Sequence, residues 1–322
     1  MLKALLERIE GKHTKIVFPE GSEPRVLNAA AKLNGEKILD PILLGDPEEI
    51  KAAALKQGAN IEGIEIIDPA TYEEMDAMVQ RMVELRKGKM DADACRNALT
   101  KTNYFGTMLV AMGKADGLVG GATYSTADTV RPALQLVKTR PGSHIVSSAF
   151  ILVRNNERLV MSDCAINIMP SEDDIVEIAL ETVKTARVFG VEPRVALLSY
   201  STKGSGKGEA VDKMRNAADR LKMMNVDFAV EGELQFDCAV SPVVAKTKAP
   251  NSEVAGTCNT FIFPNIEAGN IGYKIAQRLG GFEAVGPILQ GLNAPINDLS
   301  RGCTAEEVYK VAIITAAQKY ID

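Results

Sequence analysis

Short apolar runs rich in β-branched residues alternate with longer segments of helical spacing along nearly the whole chain, and this alternation restricts the fold more than any other feature. Lys15-Ile-Val-Phe18 has the length and composition of a buried strand, and residues 24–33 read as a helix with Pro24 in its first turn. Pro41-Ile-Leu-Leu44 is again strand-like and runs into Gly45-Asp46-Pro47, which opens the next helix. Residues 71–87 and 91–113 have helical spacing, and Gly117-Leu-Val-Gly-Gly121 is a short buried strand. Strands separated by helices pair in parallel, because each crossover helix returns the chain to the same end of the sheet and covers one face. The expected class is α/β, with mostly parallel sheet and helices on both faces.

The pattern changes after Thr139-Arg-Pro-Gly142. Residues 144–153 and 157–161 are apolar runs joined through Asn155-Asn156, which predicts an antiparallel hairpin. Alternation then resumes, with 171–189 as helix, 194–199 as strand and 209–225 as helix. A chain of 322 residues has room for two domains of about 150 residues. The expected division is 1–141 plus 298–322 for the first and 142–297 for the second. A second crossing falls near Gly291-Leu-Asn-Ala-Pro-Ile-Asn297, and the last helix, 304–320, returns to the first domain.

Charge and cysteine content exclude several classes of function. Lys plus Arg total 37 against 42 Asp plus Glu, with no basic block, so counterion release offers little affinity for nucleic acid. No apolar run approaches the roughly 18 residues of a membrane span, and charges interrupt the apolar pattern of the first eight positions, unlike a signal peptide. The five cysteines are scattered without a Cys-x-x-Cys pair, and neither His13 nor His144 lies near one. Neither a disulfide framework nor a metal site is expected, and a reduced cytoplasmic protein is.

Three polar segments are candidates for chemistry. Ser201-Thr-Lys-Gly-Ser-Gly-Lys-Gly208 follows a strand but fails the phosphate-loop pattern twice, at Ser201 and at Gly208. It reads as a strand-to-helix loop, with anion contact through its N–H groups and Lys207 as the functional alternative. Gly120-Gly-Ala-Thr-Tyr-Ser-Thr-Ala-Asp-Thr-Val-Arg131 places hydroxyls at a predicted helix N-terminus that continues toward Val137, with Arg131 one turn on. Free N–H groups and the dipole favour an anion there; capping by Ser125 or Thr126 is the structural alternative and can coexist with it, and Arg131 tips the reading toward anion binding. Asn297-Asp-Leu-Ser-Arg-Gly-Cys-Thr-Ala-Glu-Glu-Val308 is the densest cluster, and its Thr304-x-x-Glu307 is a capping box by spacing. Cys303 and Cys164 have no sequence-local base and read as buried thiols.

Nine blocks in order resemble phosphate acetyltransferases. They are Phe18-Pro-Glu-Gly-Ser-Glu-Pro-Arg25, Asn103-Tyr-Phe-Gly-Thr-Met-Leu109, Lys114-Ala-Asp-Gly-Leu-Val-Gly-Gly-Ala122, Ser125-Thr-Ala-Asp-Thr-Val-Arg-Pro-Ala-Leu134, Asp163-Cys-Ala-Ile-Asn167, Glu231-Gly-Glu-Leu-Gln-Phe-Asp237, Phe263-Pro-Asn-Ile-Glu-Ala-Gly-Asn-Ile-Gly-Tyr-Lys274, Pro287-Ile-Leu-Gln-Gly291 and Asp298-Leu-Ser-Arg-Gly-Cys303. The resemblance implies two α/β/α domains of the isocitrate and isopropylmalate dehydrogenase architecture, an active site in the interdomain cleft and a homodimer. It implies acetyl transfer between acetyl phosphate and coenzyme A, with no permanently bound cofactor and no obligatory metal. Residue by residue, it makes Ser300 the donor to the carbonyl oxygen, Arg301 the acetyl phosphate ligand and Glu307 the base, where the family usually has Asp. Arg131 matches a second essential arginine and Arg86 one associated with a coenzyme A phosphate. Ser125, Thr126, Asn270 and Lys274 complete the expected substrate contacts. Phosphate butyryltransferase and a non-catalytic acetyl-CoA-sensing module are the alternatives, and coenzyme A is the expected partner in all but the choice of acyl group.

Overall fold

Helix starts and stops follow local chemistry in the computed structural model, which describes residues 2–320. In chain order the elements are α1 (Leu2–Ile9), β1 (Lys15–Phe18), α2 (Pro24–Gly35), β2 (Asp40–Leu44), α3 (Pro47–Gln57), β3 (Glu65–Ile67), α4 (Met75–Arg86), α5 (Ala92–Leu99), α6 (Thr102–Ala111), β4 (Gly117–Gly120) and α7 (Thr126–Pro132). They continue as β5 (Ser147–Arg154), β6 (Glu157–Ser162), α8 (Glu172–Val188), β7 (Arg194–Leu198), α9 (Glu209–Met223), β8 (Ala229–Leu234), α10 (Phe236–Val240), α11 (Pro242–Lys248), β9 (Thr260–Ile262), α12 (Ile266–Arg278), β10 (Glu283–Gln290), β11 (Ile296–Asp298) and α13 (Ala305–Gln318). Glu23 caps α2 by accepting from the N–H groups of Arg25 and Val26, and Asp46 does the same for α3. In both helices proline follows the cap, where its missing N–H costs nothing.

The contacts divide the chain into two units. The first is the chain up to Gly142 together with the segment from Leu292, and the second is Ser143–Gly291. The sheet of the first unit is wholly parallel, in the order β11-β4-β1-β2-β3. The return to this unit comes before the expected residue 298. Ile296, Asn297 and Asp298 register with Leu118, Val119 and Gly120 of β4, so backbone pairing assigns β11 here. Helix α13 packs on α2, α1 and β4.

One expected helix is two. The 91–113 segment breaks at Thr100, whose Oγ1 donates back to Asn97 O at 2.8 Å, and Lys101 is extended. A threonine that bonds the preceding turn competes with helix continuation. The break lets Cys95 and Leu99 of α5 share a core with Phe105 and Met108 of α6. The helix toward Val137 also changes, because Pro132 has no N–H to give and the next turn, Ala133–Val137, is π-helical.

The sheet of the second unit runs β10-β5-β6-β9-β7-β8. Its β5–β6 hairpin is the one expected: Arg154 pairs with Glu157 across a turn of Asn155 and Asn156, and Asn155 takes φ 54°. β10–β5 and β5–β6 are antiparallel, and β6–β9, β9–β7 and β7–β8 are parallel. One face is covered by Ile175, Ile178 and Val183 of α8 with Met214, Ala218 and Leu221 of α9, and the other carries Phe150, Phe261 and Leu234. No helix among the described residues is long and apolar enough to cross a membrane.

Candidate active site

The first sheet reverses its order between β1 and β4. From β1 the chain builds β2 and β3 on one side, then β4 and β11 on the other. In open parallel sheets ligands collect outside the carboxyl ends of the strands at such a reversal, because the two loops there diverge and leave a crevice. Three loops leave at this edge: the one after β1, the one after β4 and the one after β11.

Glu20, in the loop after β1, ties down the loop after β4. Its Oε2 accepts from Gly121 N at 2.9 Å and Ala122 N at 3.0 Å, and its Oε1 accepts from the backbone N–H of Thr123 and from Thr123 Oγ1. Arg25 ties the same loop to the one after β11. Its Nη1 donates to Arg301 O at 2.8 Å and Cys303 O at 2.9 Å, its Nη2 to Ala122 O at 3.0 Å, and its Nε to Glu23 Oε1 at 2.6 Å. A planar fork suits this job, since its donors diverge at fixed angles toward three separate carbonyls. Sequence reading gave neither residue a role. Most of their partners lie about 100 to 280 positions away and are backbone atoms, which carry no residue-type signal.

Asp298 ends β11 beneath this framework. Gly121, at φ 109°, comes so close that a Cβ there would collide with Asp298 Oδ1 and with the Leu299 backbone. Burial pushes the Asp298 carboxyl up to about 6, against the pull of the Thr126 hydroxyl. Neither Oδ1 nor Thr129 Oγ1 has a hydrogen-bond partner among the described residues. A carboxyl raised from its ordinary 3.8 holds its proton longer in the folded state than in the unfolded one. Its stabilising contribution is therefore present below about pH 4 and is lost as pH rises through about 6. We predict that Asp298→Asn melts several degrees above the native chain at pH 7, the ionised form costing up to about 3 kcal/mol there. The gap should close near pH 4, and a gap independent of pH contradicts this reading.

The expected site residues divide into three groups. Ser300, Arg301 and Glu307 lie on the loop after β11 and the first turn of α13; Ser300 and Arg301 are exposed and Glu307 is half-buried. The Ser300 carbonyl accepts from Cys303 N at 2.9 Å, closing a turn, and Ser300 Oγ accepts from Gly302 N at 3.3 Å. The Thr304–Glu307 capping box forms, with Thr304 N and Oγ1 both donating to Glu307 Oε2 at 2.7 and 3.2 Å. Ser125, Thr126 and Arg131 lie on α7 beside this loop. Ser125 forms a second box, its N and Oγ donating to Asp128 Oδ2, which holds the Asp128 carboxyl low. The N–H groups of 121–123 are occupied by Glu20, so any anion contact by this segment falls to the first turn of α7 and to Arg131 rather than to the glycine turn.

The other expected residues lie on α4 and α12. Arg86 ends α4 with its Nε buried and unpaired among the described residues. Asn270 and Lys274 are one turn apart on α12 in the second unit, where Asn270 Nδ2 donates to Cys164 O at 3.0 Å and Lys274 Nζ to Asn270 Oδ1 at 2.7 Å. The 201–208 segment forms the strand-to-helix loop expected between β7 and α9, with Gly204 N donating to Glu233 Oε1 of β8, Gly206 N to Ser201 Oγ and Thr202 N to Ser205 Oγ. All five cysteines are buried free thiols, and burial raises Cys303 to about 11 despite Arg25, which keeps it protonated and unreactive at neutral pH. No cluster of three or more His, Cys, Asp or Glu side chains among the described residues is arranged to hold a metal ion.

Residues 1–316 match the model of the family described as Phosphate acetyl/butaryl transferase. The chain belongs to that family. A phosphate acetyltransferase of Bacillus subtilis (strain 168) is 55% identical over 99% of this chain and 98% of its own. A phosphotransacetylase structure from Streptococcus pyogenes superposes with a TM-score of 0.96 at 54% identity, covering 98% of this chain and 97% of that one. At the level of fold alone, a putative 4-hydroxythreonine-4-phosphate dehydrogenase from Salmonella typhimurium superposes with a TM-score of 0.52 at 14% identity, over 94% of this chain and 99% of that one. The phosphate acetyl/butyryl transferase family thus shares a dehydrogenase-like architecture of two α/β/α units.

Proposed function

We propose that this chain is a phosphate acetyltransferase, catalysing acetyl-CoA + phosphate = CoA + acetyl phosphate in both directions. The observation that carries the reading is the intact loop Asp298–Glu307 on the Glu20–Arg25 framework, in a chain similar over its full length to enzymes of that name. Coenzyme A is a substrate in this reading, and no cofactor is permanently bound.

The thiol sulfur of coenzyme A attacks the carbonyl carbon of acetyl phosphate directly while both are bound. The S–C bond forms, the C–O bond to phosphate breaks with its electron pair leaving on phosphate, and the thiol proton passes to Glu307. A free thiol near pKa 8.5 is only a few per cent ionised at neutral pH, so a positioned carboxylate raises the reactive fraction. The capping box uses Oε2 of Glu307, which leaves Oε1 for the proton. Ser300 donates to the carbonyl oxygen as negative charge develops, where one such donor contributes about 2.7–4 kcal/mol. Arg301 holds the phosphate oxygens through its paired donors, with Arg131, Ser125 and Thr126 beside it. Arg86 binds a coenzyme A phosphate through the donors of its half-buried guanidinium, and Asn270 and Lys274 are further substrate contacts in this reading. Arg301→Ala should raise KM for acetyl phosphate about tenfold or more, the size of one lost charge-assisted contact, with KM for coenzyme A little changed. An unmoved acetyl phosphate KM contradicts the assignment.

The family model spans both acetyl and butyryl transfer, which keeps phosphate butyryltransferase as the second reading. One methylene shifts discrimination by only about 1–3 kcal/mol, so rates with acetyl and butyryl phosphate separate the two. We further infer a cytoplasmic homodimer. Five free thiols suit a reducing compartment, and Ile271 and Ile275 of α12 with Leu279 just past its end form an exposed apolar row that suits a second copy. Light scattering that returns a single 34.6 kDa chain contradicts the dimer.

A further inference from the structure

The second unit contains a cavity of about 620 Å³ that none of the residues assigned above lines. It lies at the amino ends of the parallel strands β6, β9 and β7, the opposite edge from the loop that leads out of β9 into α12. The volume is within the range of small-molecule sites, about 300–1,000 Å³.

Two guanidinium groups of its lining have no acidic partner. Arg158, at the start of β6, gives Nη1 to Phe189 O at 3.0 Å, and Arg194, at the start of β7, gives Nε to Thr257 O at 2.5 Å. Both are half-buried, and neither forms an ion pair among the described residues. Arg154 differs, because Glu157 and Gly280 O take its Nη groups and Phe282 lies under its guanidinium at 4.2 Å. Glu192, the other carboxylate of the lining, is exposed. A half-buried charge without a counter-charge is costly, and the cost falls when an anion supplies one. The single backbone carbonyl on each arginine fixes its direction and leaves donors over for a ligand.

The rest of the wall is apolar. Phe236 and Val240 of α10 are exposed at 46% and 38%, unusual for such side chains, and Phe282 and Cys258 continue the surface inward. Burial pushes the Cys258 thiol up to about 12, so it adds apolar contact and no nucleophile.

We propose that this cavity binds a small organic anion, a carboxylate or phosphate monoester carried on an apolar or planar body. Arg158 and Arg194 take its oxygens, and Phe236, Val240 and Phe282 cover its body. The site is independent of the acetyl-transfer reading and stands or falls without it.

The chain has no tryptophan, so Phe236→Trp gives a single fluorescent reporter on the wall. Titration with phenyl phosphate and with benzoate should give saturable fluorescence changes, the tighter of the two showing whether phosphate or carboxylate is preferred. Inorganic phosphate, which lacks the body, should bind at least about tenfold more weakly, or 1.4 kcal/mol. Adding Arg158→Gln and Arg194→Gln should weaken the aryl anions at least about tenfold, while adding Arg301→Ala should leave them unchanged. Val240→Trp replaces the reporter if circular dichroism shows that Phe236→Trp misfolds. No saturation with either aryl anion, a signal indifferent to Arg158 and Arg194, or one lost with Arg301 overturns the proposal; inorganic phosphate binding as tightly overturns its apolar half.

Discussion

Glu307→Gln lowers kcat by about 10²-fold or more and leaves the fold intact. The size is that of a general base removed from a thiol that is mostly protonated at neutral pH. The structure makes Gln the informative choice, because its amide oxygen accepts from Thr304 N and Oγ1 as Glu307 Oε2 does now. The helix loses only its charge–dipole contribution of about 0.3–1 kcal/mol. A large fall in kcat beside a small shift in melting therefore separates proton transfer from capping. Full kcat with a lowered Tm assigns Glu307 to the capping box alone and removes it from the mechanism.

Glu20→Ala has the opposite signature, a loss of stability together with activity. Glu20 is 8% exposed and accepts from three consecutive N–H groups and one hydroxyl, and Gly121 and Ala122 are themselves buried. Each buried donor left without an acceptor costs about 1–3 kcal/mol, so the variant should lose about 3 kcal/mol or more. For a chain of 322 residues, at roughly 2.1 cal/mol/K of unfolding entropy per residue, that is a fall of roughly 4–5 °C in Tm. The loop after β4 also loses its fixed path, and with it the seat of Ser125, Thr126 and the Arg25 contact to Ala122. Differential scanning calorimetry and steady-state rates check both halves, and a variant with native Tm and native kcat/KM contradicts the framework role.

Much of the architecture was legible in the sequence because it rests on local spacing. The 15–18 and 41–44 runs, the hairpin at Asn155-Asn156 and the Thr304–Glu307 box all depend on residues within a few positions of one another. The break at Thr100–Lys101 was not legible, because α5 and α6 are each helical by pattern and only shared core packing separates them. The crossing near residues 291–297 was legible, but the strand β11 that follows it was not, since it is three residues long and its parallel partner β4 lies far away in the chain. At the site, motif likeness marks the residues that meet substrate in the proposed mechanism, while nothing in the motifs that contain Glu20, Arg25 and Asp298 marks their task. Most of their partners lie on distant loops, and those of Glu20 and Arg25 are largely main-chain groups. A clue was present for Glu20: a glycine pair at 120–121 after a strand offers N–H groups, and an acidic residue after a neighbouring strand can occupy them as readily as a ligand.

The central claim is direct acetyl transfer to coenzyme A by this chain alone. Thioester formation followed by ultraviolet absorbance, from coenzyme A and acetyl phosphate in the presence of a metal chelator, tests it most directly. The account predicts rapid, repeated turnover that chelator does not slow, with one phosphate released per thioester formed. A folded protein that forms no thioester from acetyl phosphate contradicts the account.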